Sequence, residues 1–204
     1  AYPDHGDQAE DLLRRVEIAV QNSRDAGMAL GVYELGHDDT QRRQLQIIGA
    51  LRQAIANNEL SLVYQPKIAL PSAEVVEAEA LVRWIHPDLG FVPPDEFIPL
   101  AERSGNITLL TDWLLDRVIN QLAEWRDQGI ILSVGVNLSA IDLLDPTLPT
   151  RIARGLEQQK LPTERLILEV TESAVMRDTA TACQVLEQSR ELGLHVAVDD
   201  FGTG

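Results

Sequence analysis

Val75-Val76-Glu77-Ala78-Glu79-Ala80-Leu81-Val82-Arg83-Trp84 is the stretch on which the fold turns. Side chains alternate across a strand. Ala78, Ala80, Val82 and Trp84 therefore make an apolar face suited to covering helices, whereas Glu77, Glu79, Leu81 and Arg83 make a charged face that must look into something polar. Just upstream, Leu60 to Ile68 reads as a second strand, joined to the first by a short turn containing Pro71 and Ser72. So short a connection predicts an antiparallel pair, because a parallel crossover needs a dozen or more residues.

Downstream the pattern becomes helix and strand in turn. The periodicity predicts helices over Thr111 to Gln128, about Pro149 to Gln159 and Thr179 to Leu192, with strands over Ile131 to Leu138, Leu166 to Thr171 and His195 to Asp199. Gly129 and Gly193 close two of the helices. Such alternation means a parallel sheet with helices outside it, either open or closed into a barrel. Upstream, Leu12, Val16 and Val20 mark a helix ended by Gly27, followed by a short strand, Met28 to Tyr33. The acidic tract Gly36 to Asp39 then breaks the pattern, and a helix from about Arg42 to Asn57 presents Leu45, Ile48, Leu51 and Ile55 on one side. One helix and one strand cannot bury a core of their own, so the first forty residues read as the end of another domain or as a docking module.

The polar faces of successive strands carry the chemistry. Opposite their aliphatic residues, the four strands after the turn present Glu79, then Asn137, then Glu169, then Asp199, with Asp200 immediately following. In parallel α/β folds the C-terminal strand ends are where sites are built. Four carboxylates brought together as bare anions would be prohibitive, and an all-oxygen set completed by Asn137 suits hard divalent cations such as Mg²⁺ or Mn²⁺. The adjacent Asp199 and Asp200 could serve two ions, which together would favour in-line displacement at phosphorus. Taken singly, each acid is better read as a solvated strand end or as the partner of a base such as Arg83 or Arg103; it is their succession on four strands that makes a site. His86 reads as a turn residue, His195 as structural, and Cys183 as a packed helix residue beside Val185 and Leu186. No glycine-rich phosphate loop of the Walker or dinucleotide type is present.

Composition narrows the partners. The chain has 204 residues, with 17 basic and 32 acidic side chains and a net charge of −15. That balance argues against gripping duplex nucleic acid or an anionic membrane surface, which takes clustered Lys and Arg, but leaves room for a small phosphate ligand held through metal ions. The longest uncharged stretch, Gln128 to Ile141, is too short and mixed to cross a bilayer, which needs about 20 apolar residues. The polar start of the chain does not read as a signal peptide. A single cysteine rules out an internal disulfide. A cytoplasmic protein is expected.

The ordered motifs resemble one family. Glu79-Ala80-Leu81 is similar to the signature of EAL domains, the cyclic di-GMP phosphodiesterases. Tyr64-Gln65-Pro66, Phe97-Ile98-Pro99-Leu100-Ala101-Glu102, Val136-Asn137-Leu138-Ser139, Glu169-Val170-Thr171-Glu172-Ser173 and Asp199-Asp200-Phe201-Gly202-Thr203-Gly204 continue the resemblance from about Gln44 onward. It implies an α/β fold, a TIM-like (β/α)8 barrel with an antiparallel first strand, over residues 41–204. It also implies a two-metal Mg²⁺ or Mn²⁺ site with Glu79, Asn137, Glu169, Asp199 and Asp200 as ligands. Gln65 and Arg83 match residues that contact cyclic di-GMP, and Glu172 matches the glutamate that anchors the loop beginning at Asp200. The implied reaction is hydrolysis of cyclic di-GMP to linear pGpG by metal-activated water, in homodimers formed near that loop. A catalytically inactive module that senses cyclic di-GMP is the alternative. Residues 1–40, through Ala1-Tyr2-Pro3, Asp11 to Val16 and Ala19-Val20, resemble the C-terminal tail of a GGDEF domain. A complete barrel takes about 250 residues, more than Leu60 to Gly204 supplies. The chain is therefore expected to hold an incomplete barrel of five strands, a piece of a larger GGDEF-EAL protein, and to be inactive alone.

Overall fold

The computed structural model describes residues 2–25, 27–34, 36–70 and 72–199, which form two compact units, Ala1–Ala50 and Leu51–Gly204. In the first unit α1 (Ala9–Asp25) stops before Gly27, whose φ of 64° takes the left-handed turn expected of it. Its buried apolar residues are Ile18 and Ala19, clustered with Tyr33, while Val16, one of the residues that marked the helix by its spacing, is 57% exposed. No strand forms over Met28 to Tyr33. Alternating residues become a strand only where a neighbouring edge offers backbone partners, and none does so among the described residues. Tyr33 is held instead by its side chain, whose hydroxyl donates to Asp38 Oδ2 at 2.7 Å beneath the Arg15 guanidinium.

The acidic tract does not break the chain either. Asp38 and Asp39 fill the first turn of α2 (His37–Ala56), where carboxylates are stabilised by the unpaired amides of the helix start. The buried stripe of α2 is Ile47, Leu51 and Ala54, rotated from the expected one, and Leu45 is 65% exposed. Two overlapping apolar stripes were compatible with the periodicity, and packing chose between them.

In the second unit the expected antiparallel pair is present. β1 (Leu60–Ala69) runs against β2 (Glu74–His86), with Gln65 opposite Glu79 and Lys67 opposite Glu77. Among the described residues β1 is an edge strand, which tolerates Pro66 with its missing N–H, and the register shifts between Lys67 and Ile68. The sheet then continues in parallel through β4 (Ser133–Asn137), β5 (Leu166–Thr171) and β6 (His195–Asp199), in the order β1-β2-β4-β5-β6. A short β3 (Gly90–Val92) pairs antiparallel with the end of β2. Among the described residues β1 and β6 do not pair with each other, so the sheet is an open arc of the expected α/β barrel.

Helices cover one side of this arc. The apolar face of β2, with Ala78, Ala80, Val82 and Trp84, is buried as its alternation required, and Trp84 meets Phe97 edge-on at 5.5 Å. Phe97 belongs to α3 (Pro94–Ser104), a helix the sequence reading missed because Pro94 and Pro99 mask its period. Pro94 sits in the first turn, where its absent N–H costs nothing. α4 (Ile107–Asp127), α5 (Leu148–Gln158) and α7 (Thr179–Glu191) match the expected helices within a few residues. The six-residue α6 (Glu172–Arg177) was not foreseen. Cys183 is exposed rather than packed, because α7 turns Ala182, Val185 and Ser189 inward. His86 is the turn residue expected, its Nδ1 accepting from the backbone amides of Asp88 and Leu89 at 3.0 and 3.2 Å. Among the described residues no helix is long and apolar enough to cross a membrane.

Candidate active site

Register brings the polar side chains to one face. Glu79 lies beside Gly135, and Asn137 lies beside Glu169, so strands β2, β4 and β5 deliver an acid, an amide and an acid in succession. Asn137 Nδ2 donates to Glu79 Oε1 at 2.8 Å. This bond fixes which way the amide points and leaves its oxygen to the opposite side. Glu169 is 4% exposed.

Gly135 creates the room for it. A Cβ on residue 135 would stand 2.5 Å from Glu169 Oε1 and 2.7 Å from its Cδ, closer than side chains approach one another. The carboxylate thus lies across the bare backbone of β4, on the side facing β2. Only glycine permits this approach, and Gly135 is the first site residue that sequence reasoning passed over. Its signal was a glycine inside an otherwise branched apolar strand.

Lys67 is the second residue missed: it is the base that pairs with Glu169, where the sequence suggests Arg83 or Arg103 only as alternative partners for single acids. The Lys67 ammonium donates to Glu169 Oε1 and sits 2.8 Å from Glu77 Oε1, tying β1 to β2 and β5. Burial pushes the Glu169 carboxyl above its ordinary range; Lys67 opposes that shift, and the charges of Glu79 and Glu77 add to it. For Lys67, burial alone would favour loss of the proton, but the hydrogen bonds to Glu169 and Glu77 prevail and raise its pKa. The signal lay in the antiparallel register, which sets Lys67 directly opposite Glu77 on the charged face.

Beyond the strand ends a loop is locked by a buried acid. Asp142, 4% exposed, accepts through Oδ2 from the Ser139 amide at 2.9 Å, the Ser139 hydroxyl at 2.7 Å and the Thr111 hydroxyl at 3.0 Å. Burial raises its pKa against those hydrogen bonds. The spacing Ser139-x-x-Asp142, a side chain folding back on a backbone amide, was the readable sign. This loop and the ends of β2, β4 and α3 enclose a cavity of about 430 Å³ whose polar lining includes Arg83, Glu102, Asn137 and Ser139. Arg83 also donates to the Val82 carbonyl at 2.9 Å. A small ligand fits a space of this size.

The remaining expected residues are distributed around this centre. Gln65 is opposite Glu79 on β1, and Glu172 opens α6, whose cap is the Thr171 hydroxyl accepting from the Ala174 amide at 3.2 Å. Asp199 ends β6 in register with Thr171, one pleat period beyond Ala197, the partner of Glu169. Asp200 and the loop that follows it lie outside the described residues. Among the described residues no three His, Cys, Asp or Glu side chains converge as a metal centre. The donors present nevertheless fit a hard cation: Glu79, Asn137 and Glu169 offer only oxygen, and a positive charge, the Lys67 ammonium, already stands on Glu169.

Comparison with known proteins agrees with this architecture. The model of the family described as EAL domain matches residues 48–204. A cyclic di-GMP phosphodiesterase of Pseudomonas aeruginosa is 42% identical over 200 residues, covering 98% of this chain and 34% of that protein. The bifunctional diguanylate cyclase/cyclic di-GMP phosphodiesterase MucR of the same species is 36% identical over 205 residues, covering 100% of this chain and 30% of that protein. The chain thus spans about a third of the length of these relatives. The solved PaMucR phosphodiesterase in complex with c-di-GMP superposes with a TM-score of 0.73 at 40% identity, covering 78% of this chain and 65% of that one.

Proposed function

The chain belongs to the EAL domain family, and we propose that it forms the first part of a phosphodiesterase that hydrolyses cyclic di-GMP to linear pGpG with Mg²⁺ or Mn²⁺. The observation that carries this reading is the joint placement of Glu79, Asn137 and Glu169 on one face of three paired strands, with the amide bonded to one acid and the other acid seated on Gly135. Asp199, at the end of β6, and Asp200, next to it in the sequence, are assigned to complete the ligand set. Divalent cations held there would supply electrophilic charge at a phosphodiester and lower the pKa of water.

The side chains of this chain do the rest. The hydrogen bond from Asn137 Nδ2 to Glu79 Oε1 orients both side chains instead of letting them rotate freely, and leaves the amide oxygen available to a cation. Arg83 and Gln65 flank them and would hold the anionic dinucleotide, Arg83 from the wall of the 430 Å³ cavity. Asp142 keeps Ser139 and the loop beyond Asn137 in place, which fixes the cavity rim. Glu172, at the start of α6, is assigned to anchoring the loop that begins at Asp200, and homodimers form through that loop.

Residues 1–40 are proposed to be the tail of a GGDEF domain and the linker from it, residues 41–204 the first part of the EAL barrel, and the setting cytoplasmic. This piece by itself is expected to be inactive, because the strands that would close the arc are needed to complete the site.

The decisive test is Glu79→Ala in the intact protein. Loss of pGpG formation together with reduced Mn²⁺ content supports the assignment, whereas retained turnover with a normal metal content refutes it. Tight cyclic di-GMP binding by the unaltered protein without turnover in Mg²⁺ or Mn²⁺ would make it a sensor instead.

A further inference from the structure

Among the described residues Lys67 is the cation that stands between two acids, Glu169 and Glu77. It lies on the charged face of the β1/β2 pair, directly opposite Glu77 and one pleat period from the level of Glu79. Its ammonium bonds Glu169 Oε1 and reaches Glu77 Oε1 at 2.8 Å, while its side chain remains 42% exposed. Glu169, by contrast, is buried and cannot turn away, because β4 lies beneath it and its own strand is central in the sheet. An acid so placed needs a positive partner. Lys67 provides one from a partly exposed, flexible type of side chain, a four-carbon stem able to swing out without moving the sheet.

We propose that Lys67 is the resident counter-ion of the metal-free site, an internal competitor that neutralises Glu169 and must yield that carboxylate when a divalent cation binds. The inference rests on the metal-dependent reading above and assigns this lysine a role in setting metal affinity rather than in chemistry. Two physical effects act in the same direction. Removing the ammonium leaves Glu169 buried beside other acids without compensation, which destabilises the metal-free state. It also removes the repulsion between two cations competing for one carboxylate. A change that destabilises the free state more than the bound state tightens binding by the same free energy.

The test is calorimetric titration of the intact, metal-stripped protein with Mn²⁺, as wild type, Lys67→Met and Lys67→Arg. Lys67→Met is expected to bind Mn²⁺ at least tenfold more tightly than wild type and to melt at a lower temperature when metal-free. Lys67→Arg, which keeps the charge, is expected to stay within threefold of wild type in affinity. Equal or weaker Mn²⁺ binding by Lys67→Met, with wild type binding normally, overturns the role of Lys67 and leaves the metal reading intact. Absence of Mn²⁺ binding by wild type overturns both. Should Lys67→Met fail to fold, lysine-labelled wild type carries the test: Mg²⁺ is expected to shift the Lys67 side-chain resonance, identified by its disappearance in Lys67→Arg, and an unmoved resonance overturns the proposal.

Discussion

Replacing Gly135 by alanine adds a single methyl group at the point where β4 supports Glu169. That carbon would sit 2.5 Å from Oε1, 2.7 Å from Cδ and 3.1 Å from Oε2 of the same carboxylate. Ordinary contact begins near 3.5 Å, so the carboxylate must retreat by about 1 Å. It cannot do so freely, since the Glu169 side chain is only 5% exposed and one of its oxygens is held by Lys67. Forcing an extra carbon into such a place costs about 1–3 kcal/mol. Complete rupture of a buried ion pair would cost about 3–5 kcal/mol, but Lys67 is partly solvated and can follow the carboxylate, so the lower range applies. A loss of about 2 kcal/mol corresponds to a fall in melting temperature of roughly 4–8 °C for a protein of this size. Urea unfolding would show a lower midpoint with an unchanged slope, and Mn²⁺ affinity would fall because Glu169 no longer faces Glu79 and Asn137. Gly49→Ala serves as the control: Gly49 lies inside α2, where an added Cβ meets nothing within 4 Å, so the variant should gain up to about 1 kcal/mol of helix propensity. If Gly135→Ala stays within about 0.5 kcal/mol of wild type, the range of ordinary surface substitutions, and keeps its Mn²⁺ affinity, then Glu169 does not rest on the bare backbone of β4.

Two further outcomes follow from the packing. Because burial raises the pKa of Asp142 in the folded protein, the native state holds that proton more tightly than the unfolded chain does. Its contribution to stability is therefore fully present in acid, below the ordinary carboxylate range, and declines as pH rises through the raised value. Asp142→Asn, whose amide oxygen can accept the same three hydrogen bonds, should become progressively more stable relative to wild type between pH 4 and pH 7 in urea unfolding. A difference that is constant or reversed across that range would contradict the assignment. Trp84→Ala removes a fully buried ring packed edge-on against Phe97, and should cost about 3–5 kcal/mol with loss of near-ultraviolet circular dichroism; a cost below about 1 kcal/mol would mean that β2 and α3 do not share a core.

Much of the second unit was legible in the sequence, for a physical reason. A strand buried on one face must alternate, so the residues from Val75 to Trp84 declared both their periodicity and their two faces, and the short turn before them fixed an antiparallel neighbour. The same alternation set Glu79, Asn137 and Glu169 on the polar side. Where periodicity had no tertiary check, the reading failed: Met28 to Tyr33 alternates as a strand does yet has no ladder among the described residues, and the prolines of α3 concealed a helix whose Phe97 is fully buried.

Sequence alone determined the order of the main strands of the second unit, the placement of Glu79, Asn137 and Glu169 on their polar faces and the family they resemble, because those properties follow from local spacing. Which acid is buried, which base neutralises it and what makes room for it were decided only in three dimensions. Lys67 and Glu169 are about a hundred residues apart and meet because β1 and β5 contribute to one sheet, while Gly135 matters only because the Glu169 carboxylate lies where its side chain would have been. Pairing across strands depends on register, and register is settled when the whole sheet packs.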